Sequence, residues 1–211
     1  MSVLDPILKA LIKGTSHRVG LQADPDGRLI VTEDLPSLVQ LVNQGNVWSA
    51  GALTGVAAVI APPTTTAQIS LYNDEEEGTG KSYLVLRAYA IVTATPAGLS
   101  QFGISHCIHR LKPTTKPTAD IAAASITNMK ARVSSYGGRA IVDLALTVAD
   151  DLWKPLGYSI LNAVTGVGWQ VDVWLDSLVI IPPGGLYSLA AVASTTTVST
   201  RLGFTWAEVQ L

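Results

Sequence analysis

One stretch near the end of the chain decides the fold class: residues 169–209 read WQVDVWLDSLVIIPPGGLYSLAAVASTTTVSTRLGFTWAEV. At its start apolar and polar residues alternate, which is typical of a half-buried β-strand. The apolar positions are Trp169, Val171, Val173 and Leu175, and the polar ones are Gln170, Asp172 and Asp176. Trp174 is the exception, because it stands at a polar position. The stretch therefore begins with a strand that buries one face.

Two turns divide this stretch into three strands. Pro182-Pro183-Gly184-Gly185 ends the first strand, because proline fixes φ and glycine permits a positive φ, and it predicts a hairpin into Leu186–Ala193. The run Ser194–Thr197 turns the chain again into Val198–Val209. In that last strand one apolar face is expected, made of Val198, Leu202, Phe204 and Trp206. We therefore predict a closing meander of three consecutive strands.

The preceding residues continue the strand-and-turn pattern. Further predicted strands are Val47–Ala52, Val56–Ile60, Gln68–Tyr72, Ser82–Thr95, Leu99–Leu111, Arg139–Val148 and Tyr158–Asn162. Turns rich in Gly, Pro and Thr separate them, and no alternation of strands with helices is present, so the sequence predicts an all-β, antiparallel sandwich over residues 46–211. Jelly-roll topology is the expected form. Asp120–Arg132 fits either a short helix or a loop that crosses between sheets.

Residues 1–45 follow a different pattern, a helix, a hairpin and a second helix. Asp5-Pro6 starts the first helix and Gly14 ends it, Asp24–Gly27 is the hairpin turn, and the second helix stops at Gly45. A segment this short cannot bury its own apolar stripes, which consist of Leu8, Leu11, Ile12, Leu38 and Leu41. These residues need a partner surface, either the β-domain of the same chain or a neighbouring subunit. The sequence pattern leaves both possibilities open for this N-terminal segment.

The composition favours assembly with other subunits. Hydrophobic residues make up 48% of the chain and charged residues only 14%, below the quarter that is typical of soluble domains. Such a surface suits a subunit whose faces are buried against neighbours, since burying a charge is costly and burying Thr or Ala is not. The net charge of −2 provides no basic field for nucleic acid. The longest apolar run, Gly51–Pro63, is too short and too broken to cross a membrane.

The sequence contains no pattern typical of a catalytic, cofactor or metal site. Gly78–Ser82 imitates the end of a phosphate-binding loop, but Glu75 stands where the first glycine is required and a strand follows instead of a helix. The carboxylate run Asp74–Glu77 is expected to be a solvated turn with charge repulsion rather than a calcium site. Cys107 and His109 share one face of a strand, which is more typical of a buried thiol than of a zinc or nucleophile site. No cofactor is therefore expected.

Five tryptophans raise the question of a binding surface. Trp169 and Trp206 lie on apolar strand faces and are expected in the core. Trp174 lies on a polar face and Trp153 in a loop, so these two are the candidates for contact with a ligand or with another subunit, the second being favoured.

Three segments resemble the β-sandwich structural proteins of tailed bacteriophages. They are Gly80–Leu86, the Ile181–Gly185 turn, and the final Phe204–Val209, and the resemblance extends from about Asn46 to Leu211. It implies a jelly-roll subunit, commonly trimeric, that cements the outside of a capsid or forms part of a tail or head fibre. It also implies that residues 1–45 are an attachment arm, and it supplies no catalytic residues.

Two functional hypotheses follow from the composition and from this resemblance. The first is a non-enzymatic virion protein, made in the host cytoplasm, that acts as a capsid decoration or cement subunit. It would be a homotrimer in contact with the major capsid protein or other virion proteins, without nucleic-acid or membrane binding. The alternative is a receptor- or glycan-binding head domain of a phage tail or head fibre. An enzyme would require a cleft that joins Cys107 and His109 to a carboxylate.

Overall fold

The computed structural model describes residues 22–23, 29–30, 37–62, 66–78, 80–133, 135–148, 152–161 and 168–210. The chain divides into two units, Met1–Gln40 and Leu41–Leu211. In the described part of the chain, no helix has the length and apolar character needed to span a bilayer.

The described strands of the first unit form a hairpin. Strands β1 (Gln22–Ala23) and β2 (Leu29–Ile30) pair in antiparallel fashion, with Gln22 opposite Ile30. The pairing agrees with the hairpin predicted around Asp24–Gly27, whose turn lies outside the described residues. The first predicted helix, with Leu8, Leu11 and Ile12, also lies outside them.

The second predicted helix is present as α1 (Ser37–Gln44), which ends at Gly45. Gly45 has a φ of 78°, a left-handed conformation that glycine adopts without strain, and its N–H donates to the Val42 carbonyl at 2.9 Å. From α1, Leu41 and Val42 pack on a small buried cluster of the second unit, made of Val47, Leu86 and Ala207. Leu41, one residue of the predicted apolar stripe, therefore packs within the second unit.

Eleven strands and one 3₁₀ helix are described in the second unit. They are β3 (Val47–Gly51), β4 (Val56–Ala57), β5 (Ile69–Asn73), β6 (Ser82–Ala94), β7 (Ser100–Ile108), the 3₁₀ helix (Ala123–Ser125), β8 (Thr127–Asn128), β9 (Ala140–Asp143), β10 (Lys154–Leu161), β11 (Gln170–Ile181), β12 (Leu186–Ala193) and β13 (Ser199–Val209). The predicted strand Arg139–Val148 is too long, because the chain leaves the sheet after Asp143 and Ala145 turns it with a φ of 63°. Asp120–Arg132, whose sequence fits either a short helix or a crossing loop, contains the 3₁₀ helix and β8.

These strands form two antiparallel sheets, which confirms the all-β prediction. One sheet has the order β10-β7-β12-β5-β9, and the other has the order β11-β6-β13-β3-β8 with β4 added beside β13. Both sheets contribute to one large buried cluster, for example Leu71, Phe102 and Leu189 from the five-stranded sheet and Phe204 and Trp206 from the six-stranded sheet. The core therefore lies between the sheets, as in a sandwich.

The predicted closing meander is wrong in its pairing, although all three strands are present. β11 pairs with β6, β12 pairs with β5 and β7 in the other sheet, and β13 returns to pair with β6 and β3. The Pro182–Gly185 and Ser194–Thr197 turns thus connect strands of different sheets and close no hairpin. Alternation along a strand reports which face is buried, whereas it says nothing about which strand is the hydrogen-bonded neighbour.

Four of the strand pairings, which involve eight strands, are nested about the middle of the chain. Among β3, β5, β6, β7, β10, β11, β12 and β13, the first strand pairs with the last, the second with the seventh, the third with the sixth, and the fourth with the fifth. The pair β7 and β10 is the innermost of this nested order.

Candidate functional site

The tryptophans divide between core and surface. Trp206 is fully buried, as predicted. Trp169 is 46% exposed, so its predicted place in the core is wrong. It lies just before β11, where Gly168 turns the chain with a φ of 84°, so the strand begins one residue later than the alternation predicts.

Trp153 lies at the outer side of the five-stranded sheet. It is half-buried against a second cluster that includes Tyr72 and Leu186, and its ring meets His109 edge-on at 6.5 Å between centroids. Its buried indole N–H has no acceptor among the described residues. Trp153 thus completes the packing of this outer cluster.

Trp174 lies on the outer face of the six-stranded sheet and is 57% exposed. It is directly opposite Arg87 of β6, whose guanidinium carbon is 5.8 Å from the Trp174 ring centroid and 5.0 Å from that of Tyr89. The guanidinium also makes two hydrogen bonds to Asp172, Nε to Oδ1 at 2.7 Å and Nη2 to Oδ2 at 2.6 Å. We call Trp174, Arg87, Tyr89 and Asp172 the Trp174 platform.

A bulge in β6 allows Arg87 to take this position. Trp206 of β13 is opposite Val85, whereas the preceding Thr205 is opposite Arg87, so Leu86 is an extra residue. Bulges redirect side chains. Leu86 faces the buried cluster below α1 while Arg87 joins the platform.

Two glycines make room for Tyr89. A Cβ placed on Gly203 of β13 would lie 2.4 Å from Tyr89 Cζ, and one on Gly51 of β3 would lie 2.6 Å from the Tyr89 hydroxyl. The Tyr89 ring therefore lies across the backbones of two neighbouring strands. The platform extends over β11, β6, β13 and β3.

A second exposed surface, which the sequence analysis did not identify, lies on β10 at the edge of the five-stranded sheet. Tyr158 is 84% exposed and Ile160 is 60% exposed, and Leu152 just before the strand is 69% exposed. Pro155 and Gly157 were the available sequence signal, since proline and glycine within a strand are typical of edges and bulges. We call Leu152, Tyr158 and Ile160 the β10 edge patch.

Cys107 and His109 are neighbours on one face, as predicted. The Cys107 Sγ lies 4.0 Å from His109 Nδ1, His109 Nε2 lies 2.8 Å from the Ser188 hydroxyl, and that hydroxyl lies 2.7 Å from the Ser70 hydroxyl. Cys107 is 1% exposed and both serines are fully buried. The Cys107 thiol and the two serine hydroxyls are therefore inaccessible to a substrate. Within the described ranges, no group of three or more His, Cys, Asp or Glu residues is placed to hold a metal ion.

An open groove of about 1050 Å³ adjoins His109. It also contains Asp143, whose carboxylate accepts a hydrogen bond from the Thr118 N–H at 2.9 Å and whose pKa is raised by burial. Cys107 is not part of its lining. The groove thus brings a carboxylate and a histidine to one surface without the nucleophile.

The carboxylate run Asp74–Glu77 forms ion pairs with basic side chains from other segments of the chain. Asp74 pairs with Lys116 at 2.6 Å, Glu76 with Arg139 at 3.2 Å, and Glu77 with Lys112 at 2.9 Å. The expected turn is present, and opposite charges brought in by the fold offset the charge repulsion within it. Lys81 of the phosphate-loop imitation pairs with Glu208 at 3.2 Å.

The chain was also compared with known proteins. Neither a scan against protein-family models nor a search of curated proteins finds a match.

Proposed function

We propose that this protein is a non-enzymatic structural subunit of a virion, of the capsid decoration or cement type. In this proposal it forms a homotrimer and packs on the major capsid protein or on other virion proteins. The observation that carries the proposal is the β10 edge patch, a sheet edge with large apolar side chains exposed on it. The resemblance to β-sandwich proteins of tailed bacteriophages supplies the virion setting.

The second half of β10 lacks the usual protection of a sheet edge. An edge strand presents unpaired N–H and C=O groups, and monomeric proteins guard it with lysine, proline or a bulge. In β10 these devices, Lys154, Pro155 and a register shift between Pro155 and Gly157, all lie in the first half. Tyr158–Leu161 carries none of them, so this half is the natural place for a subunit contact.

We further propose that the sandwich is a jelly roll with an N-terminal attachment arm. The nested pairing of eight strands supports the jelly roll, since this topology arises when a long antiparallel hairpin is rolled into two sheets. The arm of residues 1–45 is supported by its apolar stripe, of which Leu41 packs on the β-domain while Leu38 remains 37% exposed.

The oligomeric state tests the subunit contact. We expect light scattering after size exclusion to give the mass of a trimer for the wild type and of a monomer for Ile160→Lys, because a charge at the sheet edge opposes edge pairing. Leu53→Lys is the matched control, since Leu53 is 69% exposed on the loop after β3 and its substitution should leave the trimer intact. A monomeric wild type, or an unchanged mass for Ile160→Lys, would contradict the proposal.

Membership of a virion needs a separate measurement. In particles purified by density gradient, mass spectrometry should find this chain in a fixed ratio to the major capsid protein. Loss of the chain during purification would refute a structural role in the particle.

The alternative role is a receptor- or glycan-binding head domain of a phage tail or head fibre. The exposed Trp174 favours it. The two roles differ in the assembled protein, because a cementing subunit covers Trp174 with a neighbour whereas a recognition domain leaves it in solvent.

A further inference from the structure

We propose that the Trp174 platform is a binding site for a neutral saccharide. This inference specifies the ligand class for the alternative role above, but it does not depend on trimer formation or on a place in a virion. It rests on the geometry of four strands on the outer face of the six-stranded sheet.

The platform offers the two kinds of surface that a sugar ring needs. Trp174, 57% exposed, presents an aromatic face on which the C–H face of a pyranose can stack. Beside it, Arg87 and Asp172 form a planar hydrogen-bonded pair whose side chains are 29% and 26% exposed. The carboxylate oxygens of Asp172 keep free lone pairs, and these can accept hydrogen bonds from sugar hydroxyls.

The platform is held in place before any ligand arrives. The two hydrogen bonds from Arg87 to Asp172 fix the guanidinium, which in turn lies against the rings of Trp174 and Tyr89. Tyr89 is seated on Gly203 and Gly51. Because little side-chain freedom remains to be lost, binding costs less conformational entropy than on mobile side chains.

The charges on the platform favour a neutral ligand over an anion. Arg87 already donates both arms of its fork to Asp172, so a phosphate or sulfate would have to displace the carboxylate. The shape favours an extended ligand. Four neighbouring strands at the usual spacing cover about 14 Å from the first to the last, which suits a short oligosaccharide rather than a single ring.

The test follows the indole N–H signal of Trp174 by NMR during titration of the full chain with named probes. The neutral probes are maltotetraose, cellotetraose and mannotetraose, and the acidic probes are sialyllactose and a heparin tetrasaccharide. We expect at least one neutral probe to shift the Trp174 signal in a saturable manner. Trp174→Ala, in which the remaining indole signals are followed, should weaken that binding by tenfold or more, and Trp169→Ala, which removes another exposed tryptophan, should leave the affinity unchanged.

A second variant tests whether binding needs the whole platform or only the indole ring of Trp174. Gly51→Ala keeps Trp174 but places a Cβ 2.6 Å from the Tyr89 hydroxyl, so the Tyr89 ring has to move, and we expect this variant to weaken binding severalfold. The inference is overturned if no neutral probe binds, if only the acidic probes bind, or if Trp174→Ala binds as well as the wild type. Light scattering on the same samples keeps the two proposals apart, because a monomer that binds the saccharide refutes only the subunit contact.

Discussion

Burial of His106 connects the stability of this protein to pH. It is half-buried on β7, its Nδ1 lies 3.3 Å from the Tyr187 hydroxyl, and Lys154 is its cross-strand neighbour on β10. Burial, and secondarily the charge of Lys154, lower the pKa of His106 below its ordinary value of 6.5. The unfolded chain therefore takes up a proton at a higher pH than the folded chain does.

The sign of the pH effect follows from this difference. His106 contributes stability that is fully present above pH 6.5 and is lost as the pH falls through the lowered folded-state pKa. We expect the free energy of unfolding, measured with urea at pH about 7.5 and about 5 on the two sides of the ordinary histidine pKa, to decrease in acid. His106→Gln should show a smaller decrease. An equal decrease in both proteins would mean that His106 is not responsible.

Single residues also show what a sequence pattern cannot reveal about charge. Glu208 is 3% exposed, and its carboxylate binds the Tyr136 hydroxyl at 2.5 Å and Lys81 Nζ at 3.2 Å. Burial raises the pKa of the Tyr136 hydroxyl, which stays protonated as a donor. These three residues come from distant parts of the chain, so only the fold makes their contact visible.

At the scale of elements, α1 is a cover for the outer face of the six-stranded sheet. Val47, Leu86 and Ala207 come from three adjacent strands, β3, β6 and β13, and would be exposed without the helix. Leu41 and Val42 provide that cover. This end of the sheet is therefore buried on both faces.

Leu41→Ala tests this packing. Truncation of a fully buried leucine to alanine lowers the free energy of unfolding by about 2 to 5 kcal/mol. Because Leu41 is only half-buried, we expect a decrease of about 1 to 2 kcal/mol. Asn43→Ala, on the exposed side of the same helix, is the control and should change it by less than about 0.5 kcal/mol. The measurement for both variants is the free energy of unfolding from urea denaturation. A loss no larger for Leu41→Ala than for Asn43→Ala would contradict the packing.

At the scale of the whole molecule, the nested strand pairing makes the ends of the β-domain neighbours. β3, near its start, pairs with β13, which ends the chain, and β13 also pairs with β6. All three described hydrophobic clusters are formed by residues of the second unit, Leu41–Leu211. The described core therefore contains no residue of the first unit.

Deletion of residues 1–36 tests the independence of the second unit. We expect the shortened chain to keep the β-sheet circular dichroism signal and a cooperative thermal transition, because it retains α1, both sheets and the whole described core. Removal of β13 by truncation after Val198 is the contrasting variant and should prevent folding, since it takes a central strand from the sheet. A shortened chain that is unfolded without residues 1–36 would show that the core needs them.

The sequence by itself determined the strands, several turns and the buried faces. The alternation in β11 and β13, the Pro182–Gly185 turn and the stop of α1 at Gly45 all follow from local rules of backbone geometry and burial. The exposed position of Trp174 follows from the same alternation. Local rules failed at the ends of elements, as for Trp169 and for the strand that stops at Asp143.

Only the tertiary structure decided which strands are neighbours and which side chains meet. A period of two specifies the face of a strand but not its partner, so the three closing strands look like a meander although they alternate between sheets. For the same reason the platform could not be predicted. Its residues Trp174 and Arg87 lie on two strands, and the glycines on which Tyr89 packs, Gly203 and Gly51, lie on two others, all separated in sequence. Hydrogen bonding between distant strands places them side by side, and that pairing is a property of the whole chain.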